Sequence, residues 1–180
     1  MKSERTKKLV IVAVFAAISF ALQMIAPFPK VGGFLEIEFS DLPALIISFA
    51  YGPALGVLVE FLKNLLHCTM SSTGLVGEFA NFVVNGIFVA IAGLVYSHRK
   101  TFRMAIVSLV YATIAMASAG VFVNLYIMLP MFGVPLEERF GLAMSVILPF
   151  NIVKGIVTSV ITMLIYKRIS PIIKFSGGKK

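Results

Sequence analysis

Apolar runs of roughly twenty residues recur along this chain, and short polar or turn-rich segments separate them, a pattern that predicts membrane-spanning helices. Six spans are read: about Leu9 to Ala26, Ser40 to Ala50, Ala54 to His67, Gly77 to Tyr96, Met104 to Pro130 and Leu142 to Tyr166. Between the first two lies PFPKVGGFLEIEF (Pro27 to Phe39), where turn residues are followed by a strand-like alternation. The second span is short, and YGP (Tyr51 to Pro53) breaks it from the third. That pair also reads as a broken hairpin that does not fully cross. In lipid the backbone must satisfy its own hydrogen bonds, and these runs are too long for barrel strands. The expected fold class is therefore an all-α membrane protein, a six-helix bundle with a short strand-like lid loop after the first helix. Residues 1–180 are read as one integral-membrane domain. The first run reads as a span rather than a cleaved signal peptide, since no small-x-small site leads into a polar domain.

Composition strengthens this reading. The chain has 180 residues, of which 59% are hydrophobic and 13% charged, and its mean hydropathy is +0.98. The net charge of +8 would suit nucleic acid, but its placement argues for topology instead. Lys2, Arg5, Lys7, Lys8, Arg99, Lys100, Arg103, Lys167, Arg168, Lys174, Lys179 and Lys180 fall on one side if the spans number six. The other side has Lys30 and Arg139 in its loops, and gathers Glu36, Glu38, Asp41, Glu137 and Glu138. By the positive-inside rule both termini are cytoplasmic, in a multi-pass protein of the cell membrane. The single Cys68 leaves no internal disulfide and no cysteine metal cluster.

Candidate chemistry lies in the few polar residues inside the spans, since each is costly in a bilayer. The third span has Glu60, Lys63, Asn64 and His67 on one stripe, and Glu60 and Lys63 can also pair along the helix. The fourth has Glu78, Asn81 and Asn85, the fifth Asn124, and the sixth Asn151 and Lys154. With the topology above, all four clusters fall in the outer half of the bundle. Lys154 lies roughly 10–18 Å below the outer surface, counted from a helix start at Leu142 or Pro149. The inner halves are almost purely apolar, so the pattern is a pocket open outward and closed below, not a channel or proton relay. Helix-to-helix hydrogen bonding is the alternative use of such residues. Amides, one ammonium and abundant Phe suit a small organic ligand with a flat ring and hydrogen-bonding edges. No GxxxxGK[ST], HExxH or GxSxG occurs, which speaks against ATP hydrolysis by this chain and against an enzyme. Ala13, Ala17 and Ala21 at i, i+4, i+8 form a flat strip for a close helix, in this bundle or in a partner.

The segments FLEIEFSDLPALI, GEFANFVVNGIFVAI, VNLYIMLPMF and LPFNIVKG, with the alanine strip, resemble the S components of energy-coupling factor (ECF) vitamin transporters, and more narrowly the riboflavin-specific RibU family. The resemblance covers most of the chain. It implies a substrate-binding subunit, not an enzyme, that captures riboflavin, and flavin mononucleotide (FMN) as a further candidate, under the loop Pro27 to Phe39; an S component for another vitamin, or a membrane assembly subunit without a transport role, is the alternative. It implies that Asn124, Asn151 and Lys154 bond the polar edge of the ring, and offers Glu78 and Asn81 for the ribityl hydroxyls. Phe39 and Leu42 would pack on the ring. Ala13, Ala17 and Ala21 would dock on a membrane T component coupled to two cytoplasmic ATPases, and the subunit would topple in the bilayer to release its cargo.

Overall fold

The computed structural model describes residues 2–25, 31 and 35–177. Six helices order the described chain. α1 is Lys2–Met24, α2 Asp41–Tyr51, α3 Pro53–His67 and α4 Gly74–His98. α5 starts at Phe102, passes through a π-helical turn at Asn124–Met128 and ends at Met131. α6 starts at Leu136, passes through a second π turn at Ala143–Ile147 and continues to Gly177.

Four helices, α1, α4, α5 and α6, are long and apolar enough to cross a membrane. α2 and α3 have 11 and 15 residues, short of the roughly 20 that a full crossing takes. They fold back on each other as a hairpin. Gly52 sits at φ 102, where a side chain would be strained, and Pro53 opens α3 with the fixed φ that a first helical turn accepts. Close approach continues along the pair: a Cβ on Gly56 would meet Ser48 Cβ at 2.5 Å and Ala44 O at 2.9 Å. Ser48 Oγ donates across to Val89 O of α4 at 2.9 Å.

α2 lies at the centre. It packs against α1, α3, α4 and α6, and Ala44, Leu45, Ile47 and Phe49 are buried. α3, α4, α5 and α6 follow one another around it, with α1 against α2 and α3. The main core runs through Val12, Leu45, Phe88, Leu109 and Met116; Phe49 and Tyr96 stack within it, ring centroids 4.3 Å apart. A smaller cluster of Leu35, Leu129, Ala143, Ile147 and Phe150 ties the segment before α2 to the far ends of α5 and α6. Outward faces carry large apolar side chains such as Val14, Val110, Ile114 and Leu164.

Two expectations change, and part of a third lies outside the described residues. The strand-like FLEIEF is no strand among the described residues: Val31 and Leu35 form one isolated antiparallel bridge, and 36–38 are irregular. Residues 27–30 and 32–34 of the expected lid lie outside the described residues. α6 begins at Leu136 rather than at Leu142 or Pro149; Glu137 and Glu138 in its first turn complement the helix dipole. Leu136–Leu142 buries nothing, so depth is better counted from Ala143, which puts Lys154 about 16 Å along the packed part of the helix.

Candidate functional site

The polar residues of the spans meet at one end of the bundle, around a cavity of about 340 Å³. The end of α1 contributes Gln23 and Met24, the segment before α2 Leu35, Glu36 and Glu38, and the α3–α4 connection Met70 to Thr73. α4 supplies Glu78, Asn81 and Asn85, α5 supplies Asn124 and Met128, and α6 supplies Phe150, Asn151 and Lys154. Five residues singled out in the sequence, Glu78, Asn81, Asn124, Asn151 and Lys154, therefore line one hollow. Phe39 and Leu42 do not; both are half-buried beside it. Phe150 is the aromatic ring of the wall, joined by Met24, Met70 and Met128. Ala13, Ala17 and Ala21 stand exposed on α1, opposite the buried stripe Val12, Ala16, Ser19 and Gln23, so the alanine strip is not packed within this bundle.

One wall is ionic. Lys63 Nζ lies 2.7 Å from Glu60 Oε2 and 2.9 Å from Asp41 Oδ1, and donates to Ser40 Oγ at 3.0 Å. Lys154 Nζ lies 3.2 Å from Asp41 Oδ2 and 3.5 Å from Glu38 Oε1. Asp41 thus bridges two ammonium groups, one from α3 and one from α6. All five charged side chains, and Ser40 with them, are buried. Such charges persist in an apolar bundle only when each has a counter-charge in contact, and removing one leaves its partner stranded. Asn81 Nδ2 extends the network to Glu38 Oε1 at 3.5 Å, and Asn85 Nδ2 donates to Asn81 Oδ1 at 2.7 Å.

The other wall is made of amides. Asn124, the first residue of the α5 π turn, donates from Nδ2 to Gly120 O at 2.8 Å. Asn151 donates to Ile147 O, the last residue of the α6 π turn, at 2.9 Å. Each amide is thus anchored by one N–H to its own helix. Asn124 Oδ1 is buried with no hydrogen-bond partner among the described residues. A buried acceptor of that kind on a cavity wall calls for a donor from whatever fills the cavity. Gly120 makes room for the arrangement, since a Cβ there would meet Asn151 Nδ2 at 2.5 Å. π turns displace the register of the residues that follow and occur often at functional sites; here one lies on each helix of the amide wall.

A third group closes the rim. His67 Nδ1 lies 2.9 Å from Glu78 Oε1, and Gln23 Nε2 lies 3.2 Å from the same nitrogen and 3.4 Å from Glu78 Oε2. An ionised carboxylate only accepts, so the shorter contact requires the proton on Nδ1 and directs the Gln23 amide to Glu78. These bonds join the ends of α1 and α3 to the start of α4. Among the described residues no three His, Cys, Asp or Glu are grouped as a metal site would need.

Sequence reasoning placed Glu38 and Asp41 among outer loop acids and missed their burial. Half of the signal was present: two lysines inside apolar spans demand counter-charges, but which acids supply them depends on which elements pack together. Gln23, an amide inside the first span, carried the same signal as the polar residues inside the other spans and was passed over.

The comparisons with known proteins agree with one another. The family described as "ECF transporter, substrate-specific component" matches residues 7–166. The riboflavin transporter RibU of Staphylococcus aureus (strain TCH60) is 34% identical over 185 residues, covering 97% of this chain and 96% of that protein. The riboflavin transporter FmnP of Bacillus subtilis (strain 168) is 34% identical over 178 residues, covering 93% and 94%. A solved S component of a bacterial ECF transporter superposes with a TM-score of 0.80 at 34% identity, covering 94% of this chain and 99% of that one.

Proposed function

This chain belongs to the substrate-specific component family of ECF transporters, and we propose that it captures riboflavin in the cavity between α4, α5 and α6 for uptake driven by partner subunits. The observation that carries the proposal is the convergence of Glu78, Asn81, Asn124, Asn151 and Lys154 on one hollow, with Asn124 Oδ1 lacking a partner. Riboflavin offers a flat ring with ring N–H and carbonyl groups along one edge, and a chain of hydroxyls. Asn124 Oδ1 accepts from the ring N–H, and Asn151 and Lys154 donate to the carbonyls. Glu78 and Asn81 take the ribityl hydroxyls, while Phe150 and the methionines cover the ring face. Phe39 and Leu42 keep a supporting place beside the cavity. FMN fits less well, because Glu36, Glu38 and Glu78 line the site and repel a phosphate.

The rest of the proposal concerns the membrane. The whole chain acts as one substrate-binding domain in the cell membrane, with the α2–α3 hairpin completing a six-helix topology and both termini cytoplasmic. The segment 27–39 serves as the lid. The exposed strip Ala13, Ala17 and Ala21 receives a helix of the T component, which couples to two ATPases, and the subunit topples to release the vitamin. The test is to purify the protein in detergent from cells grown with riboflavin and record its visible spectrum and flavin fluorescence. A stoichiometric yellow ligand with quenched emission is expected. A folded, monodisperse protein that is colourless and does not quench added riboflavin contradicts the assignment.

A further inference from the structure

A second hollow, about 750 Å³, runs along the outside of the bundle between α5 and α6 and shares no lining residue with the polar cavity. Its wall is Ile106, Val110 and Ile114 on α5 and Ile156, Val160 and Leu164 on α6. All six are substantially exposed. The helices run antiparallel, so the Phe102 end of α5 meets the Leu164 end of α6. From Phe102 to Ile114 the groove is about 18 Å long, close to the roughly 15 Å depth of one leaflet's hydrocarbon.

Both stripes continue into charge at the same end. Arg103 lies three residues before Ile106 and seven before Val110, on the groove side of α5. Arg168 lies four residues after Leu164 and eight after Val160, on the groove side of α6. Both arginines are exposed, and neither pairs with a carboxylate among the described residues.

We propose that this groove holds an acyl chain of one anionic phospholipid, with the headgroup phosphate between Arg103 and Arg168. The groove touches a chain from two sides, so a lipid there gains more dispersion contact than one against a convex helix. Two guanidinium groups give a phosphate bidentate hydrogen bonds, and a lipid with net negative charge is favoured over a zwitterion. A partner helix is the poorer occupant. Close helix association in lipid favours small residues, and this groove is edged by branched ones, whereas the small-residue strip lies on α1. The site is independent of what the polar cavity binds.

The experiment is native mass spectrometry of the purified full chain with dioleoylphosphatidylglycerol or dioleoylphosphatidylcholine, alongside the Arg103→Gln/Arg168→Gln and Val110→Trp variants. Wild type should retain one phosphatidylglycerol in preference to phosphatidylcholine. The double arginine variant should lose about twenty-fivefold of that preference, about fivefold for each charge near the surface. Val110→Trp, at an exposed position that tolerates bulk, should lose retention of the lipid while riboflavin quenching stays as in wild type. Equal retention of both lipids by wild type would mean ordinary annular lipid and overturn the proposal. So would an unchanged preference in the double variant, or full retention in Val110→Trp. Displacement of lipid by a co-purifying membrane protein would assign the groove to a helix instead.

Discussion

The two sides of the cavity hold their polar groups differently, one by charge pairing and the other by amides bonded to their own helices. On the α2–α3 side, Glu38, Asp41, Glu60, Lys63 and Lys154 pair their charges through contacts of 2.7–3.5 Å, with Glu38 Oε2 and Glu60 Oε1 left without a hydrogen-bond partner among the described residues. On the α5–α6 side, Asn124 and Asn151 are each tied to their own helix by one bond, and an acceptor is left over. The ionic wall is a clamp that joins the hairpin to α6. The amide wall is neutral, and its spare acceptor, Asn124 Oδ1, is available to a donor from a ligand. A buried charge in a membrane helix is therefore not by itself a ligand contact: Asp41, Glu60 and Lys63 are buried and do not line the cavity, while Lys154 belongs to the ionic cluster and also lines the cavity.

The contrast is broken most directly at Asp41. Asp41→Asn removes the counter-charge shared by Lys63 and Lys154 and should destabilise the fold by about 3–5 kcal/mol, read by thermal or denaturant unfolding in detergent. A loss below about 1 kcal/mol would mean that the cluster is not a clamp. On the amide wall the effects should fall on affinity instead. Asn124→Leu and Asn151→Leu should each weaken riboflavin binding by about 1–3 kcal/mol with little change in unfolding; Gly120→Ala should act in the same direction by displacing the Asn151 side chain. Lys154→Ala should lose both stability and affinity, which distinguishes it from either wall alone. Glu78→Gln, at the rim, should cost about 1 kcal/mol of stability by weakening the charge-assisted bond from His67. The smallest effect is expected at Ala17, on neither wall. Ala17→Leu should change unfolding and riboflavin affinity by no more than about 0.5 kcal/mol, yet block uptake in cells that carry the full transporter. Normal uptake would remove the docking role of the strip.

The long helices were legible because an apolar run of that length has one low-energy conformation in lipid. The break at Gly52 and Pro53 was legible from YGP. The start of α6 was not, because LEERFG reads as a polar loop until Pro135 and the acids of the first turn are recognised as a helix start. Neither π turn leaves a mark in hydropathy. At the site, polar residues inside apolar runs pointed to Asn124, Asn151, Lys154, Glu78 and Asn81. Phe39 and Leu42 came from resemblance alone, and the structure sets both outside the cavity lining. Charge pairing across elements depends on which helices are neighbours, so Asp41 between Lys63 and Lys154 was beyond a reading of single spans.

The central claim is that the amide wall recognises riboflavin, and the measurement that tests it most directly is a fluorescence-quenching titration of riboflavin with wild-type protein and with Asn124→Leu/Asn151→Leu. The account predicts saturable one-to-one quenching by wild type and an affinity at least about tenfold weaker in the folded double variant. No quenching by folded wild type, or equal affinity in the two proteins, would contradict it.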